Sequence, residues 1–321
     1  MANKFYQWQK FLSRFGLWKR EEIPVTVDKN PNLGYERRKW WYFLMLIWIW
    51  ILTIWVVLKK KILGPNLKIH NFWFDGISPV CREVKENATT WKALDIIYNY
   101  IPGKDKSFSG QVTDFWSQLN NIKALRNRLK LVKHTLRGII ENLSTKELKI
   151  RLLSIASGSS QGVIEIMAEF KQKGIPIGAI FLDLNPAAIE HSKKLAQKAE
   201  AIDQITFINK GVNVLEEAVK NFNPHIVEII GFLEYRPEEK AIKLAEKIYQ
   251  LLLPGGILLI SNISNNLEHL FLHYVANWPM TYRSPKKLTE LLIKGGFNSK
   301  NIKIIYEPLK IHEIAICQKP F

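Results

Sequence analysis

Apolar positions follow different rules in different stretches of this 321-residue chain. Between Trp40 and Leu58 they are continuous, with Thr53 as the single polar residue and no charge. Coiled into a helix at 1.5 Å per residue, the run reaches roughly 28 Å, about the thickness of a bilayer's hydrocarbon core. Arg37-Arg38-Lys39 and Lys59-Lys60-Lys61 bracket it, and Trp40, Trp41 and Tyr42 stand where an interfacial belt belongs. The pattern predicts a transmembrane or membrane-embedded helix over 40–58 that either spans the bilayer or lies in one leaflet. A cleaved signal peptide would begin nearer the N-terminus and have a shorter apolar core.

Over 62–148 the apolar positions recur every three or four residues, predicting a helical region. Trp91 to Tyr100 reads as one helix, stopped by Pro102-Gly103, and Thr113 to Leu143 as a longer one. Ile122, Leu125, Leu129, Val132, Leu136, Ile139 and Leu143 mark the packed face of the longer helix. Lys123, Arg126, Arg128, Lys130, Lys133 and Arg137 occupy much of the rest, as a solvated face or as a contact for lipid phosphates or an anionic substrate. Ahead of the apolar run, 1–39 is a basic lead. There Phe5, Trp8, Phe11, Leu12 and Phe15 fall near helical spacing, and Pro24 and Pro31 break any helix before Trp40.

From 149 onward, short apolar runs alternate with helical stretches, the pattern of an α/β sheet domain. Leu152 to Ala156 flows through Ser157-Gly158-Ser159-Ser160 into an apolar-periodic segment, giving strand, turn and helix. A second run, Ala179 to Leu182, ends in Asp183-Leu184-Asn185-Pro186. Small residues in the first turn let the backbone pass close to a ligand. An acid at the tip of the next strand can accept hydrogen bonds from both hydroxyls of a ribose. A nucleoside-containing cofactor follows, although Gly158 and Gly162 fall short of the three glycines of a dinucleotide fingerprint.

Composition narrows the partners. At 47% hydrophobic residues the chain can hold one full α/β domain plus a smaller helical region. The net charge of +17 is concentrated in residues 1–150, which carry 26 Lys/Arg against 12 Asp/Glu, whereas 151–321 carry 20 against 17. A basic region suits nucleic acid or an anionic membrane, and the apolar run inside it selects the membrane, so no nucleic-acid partner is expected. Cys81 and Cys317 lie far apart without metal spacing, which predicts free thiols in a reducing compartment.

Together the Ser/Gly turn and the strand-end acid resemble the class I S-adenosylmethionine-dependent methyltransferases over roughly 149–318. Ile205–Ile208 then reads as the third strand and Ile226–Ile230 as the fourth. Pro254-Gly255-Gly256 looks like the family's turn into strand five, and Ile302–Tyr306 and Ile311–Ile316 like its last two strands, the final one reversed. The resemblance implies a seven-stranded Rossmann-like sheet with S-adenosyl-L-methionine as cofactor. By the same resemblance, Ala156, Ser157, Gly158 and Ser160 would lie under the cofactor's methionine end and Asp183 would hold its ribose, with Leu184 and Asn185 also binding the cofactor. Asn213, in one loop with Gly211, would contact its adenine, Gly231 and Phe232 would also bind the cofactor, and residues 89–143 would form a lid. The family usually has an acid where Ser154 stands and a glycine where Ala156 stands.

The acceptor should sit beyond strands four and five. Glu234 and Tyr235 are candidates there, Glu234 as a base or ammonium holder, and Arg283 could hold a carboxylate or phosphate bidentately. Asn262, Ser264, His269, His273, Trp278 and Tyr282 are further candidates, and two histidines four apart make no metal site by themselves. The implied function is a membrane-anchored methyltransferase acting on a small-molecule or lipid acceptor, its catalytic domain cytoplasmic because S-adenosylmethionine is made there. The alternatives are an NAD(P)-linked oxidoreductase on a similar sheet and a non-catalytic membrane-tethered binding protein.

Overall fold

Runs rich in Ile, Leu and Val, buried on both faces, make the centre of a mostly parallel sheet. In the computed structural model, which describes residues 23–64 and 68–321, these are β2 (Ile150–Ile155), β3 (Ile177–Leu182) and β5 (Ile226–Ile229). They are joined by β1 (Val25–Val27), β4 (Ile205–Ile208), β6 (Ile257–Ile263), β7 (Ile302–Tyr306) and β8 (His312–Gln318). The order is β1-β7-β8-β6-β5-β2-β3-β4, with β8 antiparallel to both neighbours and every other pairing parallel. From β2 the chain winds outward through β3 and β4, then returns to the other side of β2 with β5. The crevice at the carboxyl ends of β2 and β5 is therefore the switch point where such sheets bind ligands.

The sheet has eight strands rather than the expected seven. Val25-Thr26-Val27 adds to the edge, with Val25 paired to Ile304. Three residues between two prolines are too few to show periodicity, so only the waiting edge of β7 reveals them. Phe5 to Phe15 lie outside the described residues.

On one face of the sheet, α5 (Asn120–Ser144) and α6 (Gln161–Gln172) pack through Leu131, Leu136, Ile164, Met167 and Phe170. On the other lie α8 (Leu215–Ala218), α9 (Glu238–Leu251) and α11 (Pro285–Lys294). The remaining sheet-associated helix, α7 (Pro186–Lys198), follows β3. A second core is built from α1 (Tyr42–Leu63), α2 (Pro79–Glu86), α3 (Trp91–Asn99), α4 (Phe108–Ser117) and α10 (His269–Tyr274). At its centre Trp116 stacks on Phe271 at 5.2 Å, with Phe74 edge-on to both.

Two helices replace the single one expected over Thr113–Leu143. The chain is extended at Leu119, and the Glu268 carboxylate accepts from the backbone N–H of Asn120 at 2.7 Å and of Asn121 at 2.8 Å, capping α5. An anion there satisfies orphan donors and suits the helix dipole. The expected solvated face of α5 is also corrected at its first turns, where Lys123 and Arg128 are 2% exposed. Arg126 pairs bidentately with Glu36 and Asn127 bonds the Glu36 backbone, tying 31–39 across α5. Further along, Lys133 pairs with Glu165 and Arg137 with Glu169.

α1 does not stand clear of this body. Tyr42, Met45, Ile49, Leu52, Thr53 and Val56 are buried against the second core, and the Tyr42 hydroxyl donates to Glu268 at 2.5 Å. Its other faces expose Phe43, Leu44, Ile47, Trp48, Ile51, Ile54 and Leu58. By length and composition it could cross a membrane, with a mean hydropathy of 2.1.

Candidate active site

The loop after β2 turns tightly through three left-handed residues, Ala156 (φ 50°), Gly158 (φ 56°) and Ser160 (φ 48°). Ala156 adopts this conformation at a cost that glycine would avoid. Close approach explains Gly158: a Cβ there would sit 3.2 Å from Trp91 Cβ, at the start of α3. The loop is pinned by Asp183, whose Oδ2 accepts from Gly158 N at 2.8 Å while Oδ1 accepts from Asn185 N at 2.8 Å. The Asn185 side chain caps α7 through Ala187 N. The strand-end acid thus holds two loops together and still has lone pairs for a ligand.

These loops border one cavity of about 1380 Å³. Every predicted cofactor residue lines it: Ala156, Ser157, Gly158, Ser160, Asp183, Leu184, Asn185, Asn213, Gly231 and Phe232. Trp91, Leu94 and Tyr98 of α3 and Leu129 and Val132 of α5 form the wall supplied by the predicted lid region.

Glu234 and Tyr235 line the same cavity. Glu234 is 2% exposed, and burial raises its carboxyl above the usual range against the opposing pull of Arg128. The Arg128 Nη1 lies 3.2 Å from Glu234 Oε1, and Nη2 donates to the Tyr98 hydroxyl at 2.8 Å. Glu234 Oε2 and Ser157 Oγ are buried without a hydrogen-bond partner among the described residues. Tyr235 accepts from Trp278 Nε1 at 2.7 Å, and burial raises its hydroxyl pKa.

Arg283 is corrected. It is not among the cavity-lining residues; its guanidinium is turned inward, donating to the carbonyls of Leu233 (3.0 Å) and Arg236. It braces the loop that carries Glu234. Asn262 and Ser264 are likewise internal, both bonded to the buried Glu313. His273 reaches the cavity, whereas His269 is held by Asn266 O at 2.7 Å. Among the described residues no three His, Cys, Asp or Glu side chains form a group that could hold a metal.

The sequence reading missed Arg128 and Glu228 as site residues. Arg128 looked like one charge in a solvated run, and Glu228 stood inside a strand; only the helix packing sets Arg128 against Glu234 and Tyr98 behind the cavity wall, and only the pairing of β2 with β5 brings Glu228 to the cavity itself.

Residues 67–319 match the model of a family described as "putative methyltransferase". The chain belongs to that methyltransferase family. No curated protein matches the chain. Among solved structures, it is similar to a "possible exported protein" from Bordetella parapertussis, at 15% identity and a TM-score of 0.62 over 76% of this chain and 87% of that one. It is also similar to an O-methyltransferase family protein from Burkholderia thailandensis, at 14% identity, TM-score 0.49, over 76% and 72%. A third is magnesium protoporphyrin IX methyltransferase from Synechocystis with bound SAH, at 13% identity, TM-score 0.48, over 70% and 99%.

S-adenosylmethionine is the cofactor that the sequence resemblance implies. The residues present fit it: a close approach of the loop to Trp91 that Gly158 allows, an orphaned Ser157 hydroxyl, and a strand-end carboxylate with lone pairs to spare. Membership in a methyltransferase family removes the oxidoreductase alternative.

Proposed function

We propose that this methyltransferase works at a membrane surface on a lipophilic acceptor, with α1 lying in one leaflet rather than crossing it. The observation that carries the reading is the two-sided character of α1. One face is packed from Tyr42 to Val56 on the catalytic body; the opposite face is a continuous apolar stripe joined by exposed Phe72 and Trp73. A helix docked over this length cannot cross a bilayer without drawing α10 and its charged neighbours into hydrocarbon, at a cost of several kcal/mol per unpaired group. Lying in the interface, the same helix keeps Arg37–Lys39 and Lys59–Lys61 at the headgroups of one anionic leaflet. The catalytic body then sits on the cytoplasmic side, where the cofactor is made.

Asp183 would hold the ribose hydroxyls, and Ala156 to Ser160 the methionine part. Leu184, Asn185, Asn213, Gly231 and Phe232 would enclose the adenosine. When bound, the cofactor supplies a methyl group already activated on a sulfonium. What remains for the chain is to align the acceptor and exclude water. Tyr98, Tyr235, His273, Met280 and Thr281 line the cavity on the side of α3 and α10, and this is where the acceptor would lie. Arg128 fixes one Glu234 oxygen, leaving Oε2 free to take a proton from the acceptor or hold a polar group of it.

Vesicle flotation with the full chain tests the reading. Binding to vesicles containing anionic lipid is expected, and Ile47→Ser combined with Ile51→Ser and Ile54→Ser should weaken it by about tenfold or more, as three lost apolar contacts imply. Wild-type protein that ignores vesicles would refute membrane docking. Transfer of labelled methyl from S-adenosylmethionine into the organic phase of a membrane extract tests the lipophilic acceptor.

A further inference from the structure

We infer that Glu228 is the residue that holds the ammonium group of the cofactor's methionine part, from the strand beside the one that carries Ser154. The inference rests on the cofactor reading above and concerns a residue which that reading does not use. Ser154 and Glu228 are register partners on β2 and β5, and Ser154 Oγ donates to Glu228 Oε2 at 2.6 Å. Glu228 is 6% exposed and lines the cavity next to the loop that begins at Ala156.

Charge accounting points the same way. Arg128 is the counter-ion of Glu234, so its charge is already matched, and among the described residues Glu228 receives its hydrogen bond from a neutral hydroxyl. Burial pushes the Glu228 carboxyl up to about 7, with Ser154 and Arg128 acting against it. Such a group gains most from a cation arriving in a site of low dielectric. With both acids ionised, Glu228, Glu234 and Arg128 sum to one negative charge. S-adenosylmethionine brings a sulfonium and an ammonium against one carboxylate, for one net positive charge. An acid at 154 as well would set two carboxylates at paired positions roughly 5 Å apart, where they repel. A serine there instead orients the acid opposite and leaves its second oxygen for the ligand.

Calorimetry on the full chain decides, using S-adenosylhomocysteine and the analogue with hydrogen in place of its amino group. Wild-type protein should bind the amino compound about ten- to a hundredfold tighter, the range expected for a charged hydrogen bond. Glu228→Gln should lose most of that preference while binding the deaminated analogue within about twofold of wild type, since it never used this contact. Ser154→Ala, which keeps the carboxylate but frees it, should show a smaller loss confined to the amino compound. Equal weakening of both ligands by Glu228→Gln would reduce the residue to a support of the cavity floor and overturn the assignment. So would wild-type protein indifferent to the amino group, a result that stands even if Glu228→Gln fails to fold. Wild-type protein that binds neither ligand would instead overturn the cofactor reading itself.

Discussion

At the scale of single residues, the site depends on carboxylates whose surroundings differ. Asp183 is half-buried and bonded by two backbone N–H groups, which aim it without exhausting it. Asp183→Ala is expected to weaken S-adenosylmethionine binding by about 1–3 kcal/mol in calorimetry, as losing a charged acceptor should. Glu313 is 0% exposed, receives hydrogen bonds from Asn262 and Ser264, and burial pushes its pKa up to about 8. Its unfolded counterpart ionises from about pH 4.5 upward, while the folded carboxyl stays neutral until about 8. The stability it contributes is therefore complete at low pH and is lost as pH rises through that window. Glu313→Gln should flatten the fall in melting temperature between pH 5 and 8 and stabilise the protein at pH 8 by about 2 kcal/mol. Asp183 could be read from its place at the end of an apolar run. Arg283 could not: its formal charge suggested an acceptor clamp, but only its burial beneath Leu233 and Arg236 shows a brace.

At the scale of elements, hydrophobic period identified what each segment is and left open what it touches. Nineteen residues without a charge, Thr53 alone being polar, specify a helix with no polar face; whether lipid or protein covers it depends on neighbours far away in sequence. Phe271 and Trp278, more than 200 residues downstream, belong to the core that covers one side of α1. Phe271→Ala should cost about 3–5 kcal/mol in thermal or denaturant unfolding, because its ring is 1% exposed between Trp116 and Phe74. The break at Leu119 was invisible for a related reason. The apolar face continues through it, and the cap that starts α5 comes from Glu268, in a distant loop.

For the whole molecule, the N-terminal segment is part of the fold. Val25–Val27 completes the sheet edge, Glu36 is tied to Arg126, and α1 covers the second core. Removing everything up to Lys61 would expose Phe74, Phe271 and Trp278 to water. The expectation is a destabilised, aggregating product rather than a soluble enzyme, checked by size-exclusion chromatography and melting temperature; a monomeric product with unchanged melting would show the segment to be a detachable tether. Legible along the chain were the alternation of strands and helices, the Ser/Gly turn with the strand-end acid, and the existence of a long apolar helix, since each is written in near neighbours. The eighth strand, the burial of Arg128, the pairing of Ser154 with Glu228 and the docking of α1 emerged only on folding. Each of these depends on which distant surfaces meet, and periodicity along a chain carries no record of that.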